Sequence, residues 1–91
     1  MTQTQLNALN LFCAEKVMGW TKLHKDMRWS PATDPAQAMR VLEKCLAEQS
    51  IAVSICKVPK KGWSVFHGAY RVEAETLPLA IVKFAEKIFS K

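Results

Sequence analysis

Two groups of aromatic and cationic residues carry most of this chain's potential for chemistry. The first surrounds a turn at 59–62, follows Lys57, and contains Lys60, Lys61, Trp63, Phe66 and His67. Bases stack on aromatic rings and phosphates attract lysines, so this group is typical of a binding surface. The alternative is that Trp63 packs into the core beneath a turn whose lysines are simply solvated.

The second group is framed by two tryptophans and consists of Trp20, Lys22, His24, Arg28 and Trp29. Aromatic walls with cationic donors suit a small anionic ligand such as a nucleotide. The alternative is that both tryptophans anchor an irregular connection to the core. The sequence leaves both interpretations open.

No grouping in the sequence is able to make or break covalent bonds. The two histidines and three scattered cysteines lack metal-ligand spacing, so we expect no metal site. Cys56 and His67 fall on neighbouring predicted strands, but nothing marks Cys56 as an activated nucleophile. The glycines are far apart, which excludes a phosphate loop, and the acidic residues lie on helix exteriors or serve as caps. We therefore expect neither enzymatic activity nor a cofactor.

The composition is that of one small globular domain spanning 1–91 with a net charge of +5. The positive charge weakly favours an anionic partner. An odd number of cysteines argues against a disulfide framework and for a reducing compartment, with Cys13 and Cys45 expected to be buried. No apolar run approaches the roughly 20 residues of a membrane helix, and no secretory signal is visible. We expect a cytoplasmic protein without membrane contact.

Apolar residues at helical spacing predict three helices. The first covers about 4–18 and ends at Gly19. The second covers about 35–48, with Asp34 as its N-cap and Gln37 completing a capping box. The third starts after Thr76 and has a predicted core stripe made of Leu77, Ile81, Phe84, Ala85 and Ile88.

Between the last two helices the apolar period changes to two, which predicts strands at 50–58, 63–67 and 69–74. The first strand alternates β-branched with small residues, which suggests cover on both of its faces. Short connections imply antiparallel pairing. The predicted fold class is therefore α+β, with a sheet of about three strands layered with three helices in the order α-α-β-β-β-α.

Three segments resemble one known family: AEKVMGW at 14–20, WSPATD at 29–34 and AETLPLAI at 74–81. Together they are similar to the phage ABA sandwich domain, a family of small phage and prophage proteins, over about 6–89. The resemblance implies an alpha-beta-alpha layering and an accessory protein acting in the host bacterial cytoplasm. It transfers no functional residues.

A small protein without catalytic groups must act by binding. We expect a non-enzymatic phage protein that inhibits or sequesters a host component, foremost a bacterial anti-phage defence protein. One alternative is a sponge for a small nucleotide signal, which would form a homo-oligomer because one small domain rarely encloses a ligand. Another is a non-specific nucleic-acid-binding module.

Overall fold

A computed structural model describes residues 2–20, 29–68 and 70–89 of the chain. It confirms the α+β class and the α-α-β-β-β-α order. The elements, in chain order, are α1 (Gln3–Phe12) with a π-helical continuation (Cys13–Val17), α2 (Pro35–Gln49), β1 (Ser54–Val58), β2 (Gly62–His67), β3 (Tyr70–Ala74) and α3 (Leu77–Phe89).

The first helix begins with a capping box that the sequence analysis missed. The Gln5 amide donates to Thr2 Oγ1 at 3.2 Å, and the Thr2 amide donates to Gln5 Oε1 at 2.8 Å. At its end the helix widens, and the Met18 amide donates to the Cys13 carbonyl at 2.9 Å. Gly19 then takes φ +74°, which confirms it as the residue that stops the helix.

The start of α2 is partly as predicted. Asp34 is the N-cap, since its Oδ1 accepts from the amides of Ala36 at 2.9 Å and Gln37 at 3.3 Å. The reciprocal half of the predicted capping box is wrong. The Gln37 side chain accepts from the Ser30 amide, while the Asp34 amide donates to the Ser30 carbonyl. The Gln37 side-chain oxygen therefore stabilises the turn that begins at Ser30 and does not accept from the Asp34 amide.

The sheet is antiparallel throughout, in the order β1-β2-β3. Its first strand is shorter than predicted, because 50–53 lie outside the ladder and Ser50 is the C-cap of α2. Before β1 the chain is joined to β2 by a side chain, because His67 Nδ1 donates to the Ala52 carbonyl at 2.8 Å. The register places Ile55, Val65 and Val72 side by side on the face that looks toward the helices.

The layers run from the sheet to α3 and then to α1 and α2, so in the described residues the sheet is an outer layer and does not lie between helices as the alpha-beta-alpha layering implied. The C-terminal helix contacts β2 and β3 on one side and the two other helices on the opposite side. This central position explains why Ala80 and Val82 are fully buried beside Ile81 and Phe84. The predicted core stripe of α3 was too narrow, because the prediction assumed that only one side of this helix packs against other elements.

The prediction that β1 is covered on both faces is wrong. Residues 54–57 are exposed, and Ile55 keeps 40% of its surface in water. Within the described residues, α3 contacts β2 and β3 but not β1. A helix about 10 Å wide covers roughly two strands at a spacing of about 4.8 Å, so the third strand stays open.

Candidate binding surface

The open side of β1 brings apolar and cationic side chains together. Ile55 and Lys57 share the helix-facing side with their register partners Val65 and Trp63. Val65 is buried under α3, whereas Ile55 and Lys57 extend beyond it into solvent. We define the β1 surface as this strip and its adjoining turn, made of Ile55, Lys57, Lys60, Lys61 and Trp63.

Trp63 is both an anchor and part of the surface. Its ring is half-buried and packs against the core, as one of the two sequence interpretations expected. The ring is also partly exposed, and Lys57 Nζ of the neighbouring strand lies 5.2 Å from its centroid. At an exposed site such a cation–π contact contributes about 0.5–1 kcal/mol, so the lysine is easily redirected to a partner.

The turn that carries Lys60 and Lys61 has a fixed backbone. The Lys61 amide donates to the Val58 carbonyl at 3.1 Å, and Lys60 takes φ +66°. Gly62 takes φ +102°, and a Cβ there would lie 2.2 Å from the Ala74 carbonyl oxygen. Only glycine fits this position, because the turn is pressed against the end of β3. Both lysines are exposed.

The cationic charge of the β1 surface is not neutralised internally. Across the described ranges, Lys57, Lys60 and Lys61 form no ion pair with a carboxylate. Glu73, on β3, is engaged by Arg71 at 3.2 Å. The surface therefore presents Lys57 and Lys60 to an anionic group from outside, while Lys61 shares its surroundings with two carboxylates.

Lys61 also borders an open cleft of about 290 Å³, which is lined by Glu73, Ala74, Glu75, Leu79 and Lys83 as well. Two carboxylates and two ammonium groups share this cleft. Their charges cancel in number, so the cleft does not favour a ligand of either sign.

Phe66 lies apart from the β1 surface. Successive strand residues point to opposite faces, so Phe66 is on the other side of the sheet from Trp63. There the Arg71 guanidinium lies 5.8 Å from the Phe66 ring centroid, and its Nε donates to Ser64 Oγ at 3.1 Å. The sequence analysis grouped Phe66 with Trp63, but the structure assigns it to this separate cluster.

His67 and Cys56 do not face each other. His67 shares the face of Trp63 and Val65, whereas Cys56 pairs with Ser64 on the opposite face. The two side chains therefore point away from one another, and the His67 ring is engaged with the Ala52 carbonyl. The register rules out a cysteine–histidine pair between these strands.

The two helical cysteines are buried, as predicted. Burial, together with the neighbouring Cys45 thiol and Glu86, raises the pKa of Cys13 from 9.0 to about 12. Burial likewise raises the pKa of Cys45 to about 12. Both thiols stay protonated at neutral pH and are poor nucleophiles.

The two tryptophans of the second group have different surroundings. Trp29 is buried, and its indole N–H donates to the Asn10 carbonyl at 2.8 Å. Trp20 is half-buried and meets Trp29 edge-on, with ring centroids 4.6 Å apart. The Arg40 guanidinium lies 5.9 Å from the Trp20 centroid. Lys22, His24 and Arg28 lie outside the described residues.

Arg40 also lines an open cleft of about 300 Å³ on α2, together with Met18, Glu43, Lys44 and Ala47. Lys44 is held by Glu48 at 3.0 Å, one turn further along the helix. Arg40 is thus the cation in this cleft that contacts an aromatic ring.

Two classes of site find no support in the part of the chain that the structure describes. None of its histidine, cysteine or acidic side chains gather in the groups of three that hold a metal ion. Its helices are also too short or too polar to cross a bilayer.

Ile55 is the surface residue that sequence reasoning missed. It was assigned to a strand covered on both sides because its neighbours at 54 and 56 are small. One signal was available: Lys57 occupies the same phase of the alternation as Ile51, Val53 and Ile55. A lysine on the apolar face of a strand indicates that this face opens to solvent at its end.

Comparison with known proteins identifies one family. The family model of the phage ABA sandwich domain matches residues 11–85. No curated protein and no solved structure matches the chain significantly.

Proposed function

Because this chain belongs to the phage ABA sandwich domain family, we propose that it is a phage-encoded accessory protein that acts by binding a host component in the bacterial cytoplasm. Its foremost target is a host anti-phage defence protein, which it inhibits by occupying a functional surface. The proposal is one of binding without catalysis, and it rests on exposed lysines, a tryptophan ring and the free edge of β1.

The observation that carries the proposal is the β1 surface. Single exposed apolar residues are ordinary on protein surfaces. Here, however, Ile55 lies close to the half-buried Trp63 and on a strand whose outer edge is unpaired in the described residues. Aromatic anchors, a desolvable apolar contact and a polar rim are the usual components of a protein interface. The three lysines without ion-pair partners in the described residues supply that rim.

The test is to express the tagged protein in the host bacterium, identify what it captures, and reconstitute the complex from purified components. Ile55→Ser and Lys57→Glu should each weaken that complex about tenfold or more, because truncation of an interface anchor costs more than 1 kcal/mol. Phage plating efficiency on the host should fall in parallel.

Matched control variants exist on other elements. Met39, on α2, is 42% exposed and serves as the apolar control, Met39→Ser. Lys87, near the end of α3, is exposed and serves as the charge control, Lys87→Glu. Both controls should bind as the wild type does. A folded Ile55→Ser variant with unchanged affinity and plating efficiency would refute the assignment of the surface.

A sponge for a small nucleotide signal is the second candidate function, and the stacking of Arg40 near Trp20 supports it. Arg40 borders the 300 Å³ cleft and offers a planar cation to a base or a phosphate. Calorimetric titration with ATP and with a cyclic dinucleotide tests this function. Binding that Arg40→Ala abolishes, while Ile55→Ser leaves it intact, would favour the sponge over the protein inhibitor.

A further inference from the structure

Building on the proposed function, we propose that the partner docks as an added strand along the free edge of β1 and that this strand is acidic. The partner is then an extended protein segment that carries an aspartate or glutamate beside Lys57 and an apolar residue beside Ile55. The sheet would grow from three strands to four.

The strand β1 lies at an edge of the sheet. Its one neighbour in the strand order is β2, so among the described elements the other edge has no pairing partner. In an antiparallel ladder, alternate residues direct their N–H and C=O groups away from the neighbouring strand. An incoming strand satisfies these groups with main-chain hydrogen bonds, which is how peptides bind by strand addition.

The side chains along β1 differ between its two faces. On the helix-facing side Ile55 and Lys57 are exposed, whereas Ser54 and Cys56 on the opposite side are small. Directly opposed side chains in a strand pair have Cβ atoms about 4.5–5.5 Å apart. On the helix-facing side, an added strand therefore meets one apolar residue, Ile55, and one cationic residue, Lys57. On the opposite side it meets only small residues, which restrict its side chains little.

The charge at one end of β1 favours an acidic partner. Lys57 and the turn residues Lys60 and Lys61 lie at the same end of β1, and within the described ranges none of them is paired with a carboxylate. Opposite charges across a strand pair stabilise it and like charges destabilise it. An acidic segment supplies carboxylates to Lys57 and Lys60, whereas a basic segment would set like charges against them.

The same charge disfavours a second copy of this chain as the occupant. Each copy has a net charge of +5, and pairing two β1 strands would bring both sets of hairpin lysines to one interface. Two-fold pairing centred on Lys57 would set like charges directly opposite each other. Pairing centred on Cys56 would set Ile55 against Lys57, with no carboxylate supplied to either.

The experiment uses the full chain labelled with ¹⁵N and three synthetic peptides of about eight residues, the length of an ordinary strand. The first alternates valine with glutamate, the second alternates valine with lysine, and the third is the glutamate peptide with a central proline. Amide shifts in the protein spectrum locate binding and give the dissociation constant.

We expect the glutamate peptide to shift the amides of 54–58 and to bind at least about fivefold more tightly than the lysine peptide. The proline peptide should bind more weakly, because proline cannot donate to the ladder. Lys57→Glu should reverse the preference between the charged peptides, whereas Lys87→Glu should leave it unchanged. Added salt should weaken the binding of the glutamate peptide, because salt screens the attraction between exposed charges.

Three results would overturn the inference. One is no shift at 54–58 with about 1 mM glutamate peptide, or equal shifts with both charged peptides. Another is tighter binding of an oligothymidine at the same lysines, which would indicate a nucleic acid. The last is concentration-dependent dimerisation that protects 54–58 without peptide, which would indicate a second copy. If capture of the host component still depends on Ile55 in any of these cases, the proposed function stands and only the docking of an acidic strand is refuted.

Discussion

The indole N–H of Trp29 donates a 2.8 Å hydrogen bond to the backbone carbonyl of Asn10. The Asn10 side chain bonds back to the same stretch of chain, accepting from the Ala32 amide at 2.9 Å and donating to Ser30 Oγ at 3.4 Å. Asn10 and Ser64 are the buried polar residues of the described chain. This reciprocal arrangement holds the turn before α2 against α1.

The Asn10–Trp29 relationship predicts a large loss of stability on truncation. Asn10→Ala should lower the free energy of unfolding by about 2–4 kcal/mol, because it removes two hydrogen bonds and leaves the buried Ala32 amide without its acceptor. Trp29→Phe should cost less, about 1–2 kcal/mol, because it removes one bond. Urea denaturation measures both changes.

The control for this pair is Leu11→Ala, at the neighbouring position on α1, where the side chain is 47% exposed. It should change stability by no more than about 0.5 kcal/mol. An Asn10→Ala variant as stable as Leu11→Ala would show that the hydrogen bonds to 30–32 do not stabilise the fold.

Gly62 should be the glycine least tolerant of substitution. Gly62→Ala combines a positive φ with a Cβ placed 2.2 Å from the Ala74 carbonyl oxygen and 2.8 Å from Glu75 Cα. Gly19 and Gly68 also have positive φ, but a Cβ at either meets nothing within 4 Å. Alanine at 19 or 68 should therefore cost only the backbone strain, about 1–2 kcal/mol. Gly62→Ala should cost clearly more, and thermal melts that rank the three variants equally would contradict this.

Relief of backbone strain at Lys60 should stabilise the hairpin. Lys60 takes φ +66°, which glycine and asparagine adopt more readily than lysine does. Lys60→Asn should raise the free energy of unfolding by about 0.5–1 kcal/mol. The matched control is Lys61→Asn, because Lys61 does not have a positive φ. It should give no gain.

The Lys60→Asn variant also separates stability from binding. If Lys60 contributes to the β1 surface, the variant should be more stable yet bind the reconstituted partner more weakly. A variant that gains stability and binds as the wild type does would remove Lys60 from the surface and leave the structural argument intact.

One of the three thiols should react rapidly in the native protein. Cys56 is exposed on β1, whereas Cys13 and Cys45 are buried with pKa values raised to about 12. Ellman's reagent at pH 8 should titrate one thiol in the native state and three in denaturant. Cys56→Ser should abolish the fast reaction, and rapid labelling of Cys13 or Cys45 would mean that the helical layer opens readily.

The raised thiol pKa values also predict loss of stability in alkali. Between pH 9 and about 12 the folded protein keeps the protons of Cys13 and Cys45, while the unfolded chain releases them. Unfolding then releases protons, so the contribution is fully present below about pH 9 and declines as the pH rises. Urea unfolding from pH 8 to about 10.5 should show this decline. The slope should be shallower for Cys45→Ala, and an unchanged slope would contradict the assignment.

The elements that rest on local signals were predictable. Helical spacing gave three helices, Asp34 followed by Pro35 marked the start of α2, and the 59–62 turn marked the hairpin. Gly19 ended the first helix as expected. Each of these features depends on residues within a few positions of one another, so its energetics are contained in the local sequence.

Features that depend on distant contacts were predicted less well. The acceptor chosen by Gln37, the cover of β1 and the burial around α3 were wrong or incomplete. Gln37 reaches Ser30 because the turn before α2 is drawn toward Asn10, twenty residues from Ser30 in sequence. No local pattern specifies such a bond.

The amino-acid order by itself determined the secondary elements, their sequence along the chain, the family and the burial of two cysteines. Tertiary packing decided which tryptophan enters the core and which strand of the sheet is left uncovered by the helices. The physical reason is the width of α3, which covers β2 and β3 and leaves Ile55 and Lys57 of β1 in solvent. Strand alternation defined the two faces of β1, but only the placement of that helix decided that the apolar one is accessible.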